Sequence, residues 1–295
     1  MKITIGSRDS KLAVRQSEMV IEFLRAAHPE CDVQLATFKT TGDKILDRRL
    51  DQIGGKGLFV KELDAALRAG ACDYTVHSCK DLPMEVAQDL PLVCFSARED
   101  PRDVIVFPQG AAEPDWAKPI GTSSRRREIQ LRALFPQATF ESVRGNLQTR
   151  LRKLDEGGYG ALVLAAAGLK RMGLGGRIGR YLEPSEVIPS AGQGVLAIQG
   201  RADADRSLFD GFADDTVALA VMAERAFVTR LDGGCSSPIA AHAQVEGGTI
   251  MLSGLYFDEE TQQARKGTVE GAASDGVALA YDLADRLKSG EGETL

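Results

Sequence analysis

The sequence predicts two α/β domains followed by a small α+β domain, and three observations carry that reading. Strand and helix signals alternate from residue 2 to residue 78, and a second alternating set begins near Asp103. From Thr216 the rhythm changes to helix, hairpin and strand. The length of 295 residues agrees, since roughly 100–200 residues make one domain with its own core.

Each element has a local reason. "KITIG" (2–6) reads as a strand. Ser10 caps a helix to about Ala27, with Leu12, Met19, Val20, Phe23 and Leu24 as its apolar stripe. "VQLATF" (33–38) is a second strand. "GLFVKELDAALRAG" (57–70) is an amphipathic helix closed by Gly70, and "DYTVHS" (73–78) is the next strand. In the second set, "DVIVF" is a strand, "SSRRREIQLRALF" a helix, "TFESV" a strand, "NLQTRLRKLDEG" a helix and "ALVLAAAG" a buried strand. The βαβ rhythm implies mostly parallel sheets covered by helices. The Pro/Gly-rich "IPSAGQGVLAIQGR" (188–201) then carries the chain back to the first domain. The expected division is 1–98 with 190–213, then 99–189, then 214–295. In the last unit, "TVALAVMAERAFVTRL" is a helix, and "AHAQVEGGTIMLSGLYF" is a hairpin about Gly247 and Gly248. "QARKGTV" is a further strand, 275–288 a helix, and "KSGEGETL" a tail expected to fray.

Composition narrows the function. No apolar run is long enough to span a bilayer, and "MKITIGSRDSKLAV" has no signal-peptide apolar segment, so a cytoplasmic protein is expected. A net charge of −6 argues against a broad basic face for nucleic acid. Arginine nevertheless concentrates between residues 124 and 173, which points to a small anionic ligand.

The arginines sit where helices begin. In "GTSSRRREIQL" (121–131) a Ser/Thr cap precedes Arg125, Arg126 and Arg127, although cations are unfavourable at that end of a helix. Free N–H groups, hydroxyls and guanidinium forks together suit carboxylate or phosphate. Arg144 precedes a helix capped by Asn146, and Arg150 lies off its leucine stripe of Leu147, Leu151 and Leu154. Arg8 precedes the helix capped by Ser10. "TVHSCKDLP" (75–83) ends a predicted strand with His77, Ser78, Lys80 and Asp81 close together, at the strand end where α/β sheets collect ligands. Lys80 would supply a charge for binding and Asp81 a carboxylate, with His77 no more than a supporting hydrogen-bonded residue. "LDQIGGKGLFVKEL" (50–63) lacks the spacing of a phosphate loop and reads as a lid carrying Lys56 and Phe59. "AGQGV" (191–195) is no dinucleotide fingerprint.

"LDGGCSSP" (231–238) puts Cys235 at the tip of a tight turn. Five cysteines with no CxxC pair or zinc-site spacing set aside a disulfide and a metal ligand. A nucleophile or an accident of the loop remain. Cys72, Cys79 and Cys94 sit in or beside apolar runs and read as small buried hydrophobes.

Taken together the motifs resemble the porphobilinogen deaminase family. They are "SRDSKLA" (7–13), "GGKGLFVKEL" (54–63), "VHSCKDLP" (76–83), "GTSSRRR" (121–127), "RGNLQTRLRKLDEG" (144–157), "LAAAGLKRMG" (164–173), "AGQG" (191–194) and "ERAFVTRLDGGCSSPIAAHA" (224–243). They occur in family order across nearly the whole chain. The resemblance implies two periplasmic-binding-protein-like α/β domains and a small C-terminal α+β domain. It implies a monomeric transferase of tetrapyrrole biosynthesis with no obligate protein partner and no metal. Four porphobilinogen molecules would be joined head to tail into hydroxymethylbilane on a dipyrromethane cofactor, held by a thioether to Cys235. Asp81 matches the catalytic aspartate, whose carboxylate would stabilise positive charge on pyrrole nitrogens. Lys80, Ser124, Arg126, Arg127, Arg144 and Arg150 match residues that hold cofactor and substrate, and Arg8, Ser10 and Arg171 match positions around the substrate. Gly233 and Gly234 would leave room for a pyrrole. Arg125 stands where the family more often has leucine, and is expected to face solvent. The rival reading as a solute-binding module gives Cys235 and Asp81 no role, and a nucleotide-binding regulator is weakened by the failed phosphate-loop and dinucleotide motifs.

Overall fold

The computed structural model describes residues 1–44, 60–234 and 237–295. Its first sheet has the strand order β2-β1-β3-β10-β4, formed by β1 (Lys2–Arg8), β2 (Asp32–Phe38), β3 (Tyr74–Ser78), β4 (Leu92–Phe95) and β10 (Leu196–Gly200). The second has the order β7-β6-β8-β5-β9, formed by β5 (Asp103–Val106), β6 (Ile120–Gly121), β7 (Phe140–Glu141), β8 (Ala161–Ala165) and β9 (Ile178–Leu182). The orders match position for position. In each sheet the fourth strand, β10 or β5, runs antiparallel to its neighbours and carries the chain in from the other lobe. These are two α/β lobes of matching strand order joined by two crossings.

The helices start where their caps predict. Ser10 accepts from the Ala13 N–H and opens the helix Lys11–Ala27, whose Val20, Ile21 and Leu24 are buried against the first sheet. Ser124 accepts from the Arg127 N–H and opens Arg125–Leu134; Asn146 accepts from the Thr149 N–H and opens Leu147–Asp155. Each such cap stabilises its helix by ~1 kcal/mol. Gly70, at φ +69°, ends the helix Lys61–Arg68, with Ala71 N–H returning to the Ala66 carbonyl. "ALVLAAAG" is a strand only to Ala165; from Ala166 it turns directly into the helix Ala166–Arg171, because that helix packs back on its own strand.

The C-terminal unit is an antiparallel sheet, β11 (Ala240–Glu246), β12 (Thr249–Asp258), β13 (Gln263–Ala272) and β14 (Glu293–Thr294), covered by the helices Asp215–Arg230 and Gly276–Lys288. Gly247 and Gly248 turn the first hairpin with φ of +57° and +82°, the pair of positive angles a two-residue turn requires. The tail does not fray. Glu293 and Thr294 pair with β13, and the Leu295 N–H donates to the Ala264 carbonyl, so backbone hydrogen bonding outweighs a polar composition.

This unit docks on the crossings through Glu224, which is fully buried. Its carboxylate accepts from Arg98 at 2.8 Å, from the Gly192 N–H at 2.7 Å and from the Ala243 N–H at 2.8 Å. Burial would raise its pKa, but Arg98 and His242 hold it below the usual value. Removing one partner of such a buried pair costs ~3–5 kcal/mol.

Candidate active site

A cavity of about 320 Å³ opens between the lobes. Its wall comes from the carboxyl ends of parallel strands and the turns beyond them. Arg8 ends β1, Ser78 ends β3, and Lys80 and Asp81 lie in the single 3₁₀ turn after it. From the second lobe come Arg127, Arg144 and Arg150, and Arg171 follows β8. Six cationic side chains thus converge on one space, and Asp81 is the only acidic side chain among the described residues of the lining. Gly145, at φ +114°, makes the turn between Arg144 and the Asn146 cap, a conformation that a residue with a Cβ rarely adopts.

Burial sets the ionisation of this wall. It pulls the Lys80 ammonium down to about 8, helped by Arg127 and opposed by Asp81 and Asp103. The Arg150 guanidinium falls to about 10, through burial and then its neighbours Arg127 and Arg144; Arg171 falls to about 10 through burial. Arg171 Nε is buried without a protein acceptor, a donor left for a ligand. His77 is driven down to about 4 by burial and by Arg8, so it stays neutral, with Nε2 2.8 Å from the Thr75 hydroxyl. That bond lies within β3, and His77 does not line this cavity.

The sequence-predicted residues separate into three groups. Arg8, Ser10, Lys80, Asp81, Arg127, Arg144, Arg150 and Arg171 line the cavity together. Ser124 and Arg126 do not. Ser124 serves as the helix cap, and Arg126, only 4% exposed, turns inward to Asp103 Oδ2 at 2.8 Å and the Ile188 carbonyl at 2.6 Å. Arg126 therefore backs the wall instead of forming it, because a buried carboxylate competes for its guanidinium. Cys235, Lys56 and Phe59 lie outside the described residues.

Two expectations change. Arg125 does not point freely into solvent: it makes a two-pronged pair with Glu259 at 2.6 and 3.0 Å and lies over the Phe257 ring. It therefore joins the second lobe to the turn between β12 and β13. Both partners are partly exposed, so Arg125→Leu is expected to cost only about 0.5–1 kcal/mol and about 1–3 °C in melting temperature, with turnover within twofold. Differential scanning calorimetry and a steady-state assay check this; a larger loss of turnover would give Arg125 a role in the reaction. Gly233 is not open room for a ligand either. A Cβ there would meet Ile239 Cδ1 at 2.6 Å, so close packing of the protein itself demands glycine, whereas a Cβ at Gly234 would meet no described residue within 4 Å.

Ser78, from the cluster at the end of β3, lines the cavity as well, and so do Gln16, Asn146 and Gln193, which the sequence does not mark as site residues. Gln16 is an uncharged residue on a helix face and carries no signal in one sequence. Gln193 had one, its place between Gly192 and Gly194 at φ +71° and +89°, where a Cβ would meet Cys79 Sγ and the Glu99 carbonyl.

Two α/β lobes whose described residues gather six cations around one carboxylate define a protein built to grip a small, multiply anionic molecule. Comparison with known proteins specifies which. The family model "Porphobilinogen deaminase, dipyromethane cofactor binding domain" matches residues 3–208, and "Porphobilinogen deaminase, C-terminal domain" matches 218–289. The porphobilinogen deaminase of Ruminiclostridium cellulolyticum is 51% identical over 288 residues, 98% of each chain. That of Acetivibrio thermocellus is 50% identical over 98% of this chain and 99% of its own, and that of Thiobacillus denitrificans 46% over 97% and 94%. The chain belongs to the porphobilinogen deaminase family. Its reaction joins four porphobilinogen molecules into hydroxymethylbilane with loss of ammonia, in tetrapyrrole biosynthesis, on a dipyrromethane cofactor. The donor set fits that cofactor, a polycarboxylate whose acetate and propionate groups call for fixed cations such as the buried, unspent Nε of Arg171.

Proposed function

We propose that Asp81 is the catalytic carboxylate, that the cationic wall holds the acetate and propionate groups, and that Cys235 carries the cofactor through a thioether. One observation carries the reading: six cations from both lobes surround a single acidic side chain among the described lining residues. Arg8, Arg144, Arg150 and Arg171 bind and orient carboxylates, Arg127 and Lys80 add charge beside Asp81, and Ser10 offers a hydroxyl. Ser124 and Arg126 act from behind the wall. When bound, the dipyrromethane supplies the nucleophilic pyrrole carbon on which condensation begins. Asp81 stabilises the positive charge that develops on pyrrole nitrogen as ammonia leaves and a proton is shed. Lys56 and Phe59 belong to a lid in this reading. The functional units are residues 1–98 with 190–213, 99–189 and 214–295.

We further propose a cytoplasmic monomer. Free, buried Cys72, Cys79 and Cys94 suit a reducing compartment, and no helix among the described residues is long and apolar enough to cross a membrane. The assignment of the wall is tested with Arg144→Leu. Losing one carboxylate partner is expected to raise KM for porphobilinogen about tenfold, equivalent to ~1.4 kcal/mol. It should also leave partly elongated protein species visible by intact-protein mass spectrometry. Unchanged KM with wild-type species would remove Arg144 from the binding set.

A further inference from the structure

We propose that Asp103 is a positioning residue of this reaction: a buried carboxylate that aims Arg127 at the cavity and, through Gln193, holds Lys80 in place. The proposal rests on the reading of the cleft given above. Asp103 begins β5, immediately after the first crossing between the lobes, and is 0% exposed. Its Oδ2 accepts from Arg126 Nη2 at 2.8 Å. Its Oδ1 accepts from Arg127 Nε at 3.0 Å and Nη2 at 2.7 Å, and from Gln193 Nε2 at 2.9 Å. None of its atoms reaches the cavity, but two of the groups it governs do.

Arg127 shows how the carboxylate directs a neighbour. Two bonds to Asp103 fix the plane of its guanidinium, and Nη1 donates to the Val163 carbonyl at 3.1 Å. A guanidinium has five N–H donors, so one remains on each terminal nitrogen for a ligand. The link to Lys80 runs through Gln193, which is fully buried. Its Nε2 donates to Asp103 and, at 2.6 Å, to the Pro101 carbonyl, while its Oε1 accepts from Lys80 Nζ at 3.2 Å. Pro101 lies on the outgoing crossing and Gln193 on the returning one. The same side chains therefore tie both crossings together where cations from the two lobes meet. The two buried arginines hold the Asp103 carboxyl well below the usual carboxylate range against the opposing effect of burial, so it remains charged in this role.

The test compares Asp103→Asn, Gln193→Leu and Arg127→Leu with the wild-type enzyme carrying its cofactor. Steady-state kinetics give KM and kcat, intact-protein mass spectrometry gives cofactor content, and pH-dependent acylation with peptide mapping reports the protonation of Lys80. The charged groups facing Lys80 are Asp81 on its own turn, Arg126 and Arg127 from the second lobe, and Asp103 on β5. For Asp103→Asn the expected result is a KM raised about tenfold with kcat within about threefold among loaded molecules. Lys80 acylation near pH 7 should rise at least about threefold, because loss of a nearby negative charge favours the neutral amine. A fall in kcat at unchanged KM, the sign of a smaller folded fraction, would overturn the proposal, as would unchanged Lys80 acylation. Arg127→Leu separates the two layers of inference. If it raises KM and Asp103→Asn does not, positioning by Asp103 is wrong; if neither raises KM, the reading of the cleft is wrong. Should Asp103→Asn fail to fold, Gln193→Leu decides, with faster Lys80 acylation supporting the link and unchanged acylation overturning it.

Discussion

Asp81→Asn is expected to fold normally, retain its cofactor and lose about 10²–10³ in turnover, the range found when one preorganised electrostatic group is removed. The substitution conserves size and leaves the 3₁₀ turn Cys79–Asp81 intact, with the Leu82 N–H still donating to the Cys79 carbonyl. What disappears is the only negative charge among the described residues of a wall that carries six positive ones. Positive charge developing on a pyrrole nitrogen there would then face cations alone, and their repulsion is strong where water is excluded. Porphobilinogen consumption by the purified variant measures the loss, and intact-protein mass spectrometry separates failed chemistry from failed cofactor assembly. Turnover within threefold of wild type would remove Asp81 from the reaction.

Cys235→Ser should lose the cofactor altogether, and with it the primer for elongation. The wild-type protein is expected to weigh more than its sequence by two pyrrole units, and the variant to match its sequence, with turnover at background. A hydroxyl replaces the thiol with little change in size but without access to a nucleophilic thiolate. The other cysteines offer no substitute. Burial pushes the Cys72 and Cys79 thiols up to about 11 and that of Cys94 to about 12, and Cys31 is half-buried against the core of the first lobe, after the first helix. An unmodified wild-type protein, or a variant that keeps the mass excess, would refute the assignment.

Local chemistry was legible in the sequence, and distant partnerships were not. Ser10, Ser124 and Asn146 cap their helices because the capping bond spans only three residues. The arginines at helix starts pointed to an anion site because their placement opposes the helix dipole. How Arg126 and Arg127 turn depends on a partner 23 and 24 residues upstream, the buried Asp103. No pattern in "DVIVF" distinguishes that aspartate from a strand-end polar residue. Arg125 was misread for a similar reason: its partner Glu259 lies 134 residues away. The short strand β6, two residues long, carries too little periodicity to be seen and is held by β7 and β8 beside it, whereas β7 falls within the expected strand "TFESV".

The order of strands in the first sheet bears on how the chain is made. β10 lies between β3 and β4, yet it is encoded after the whole second lobe. While the ribosome works from Ser78 to Leu196, the edge of β3 that β10 will cover stays open on the nascent chain. At roughly 5–20 residues per second that interval lasts about 6–24 s. An uncovered strand edge invites pairing with other chains, so the first lobe depends during synthesis on whatever shields Tyr74–Ser78 until its last strand emerges.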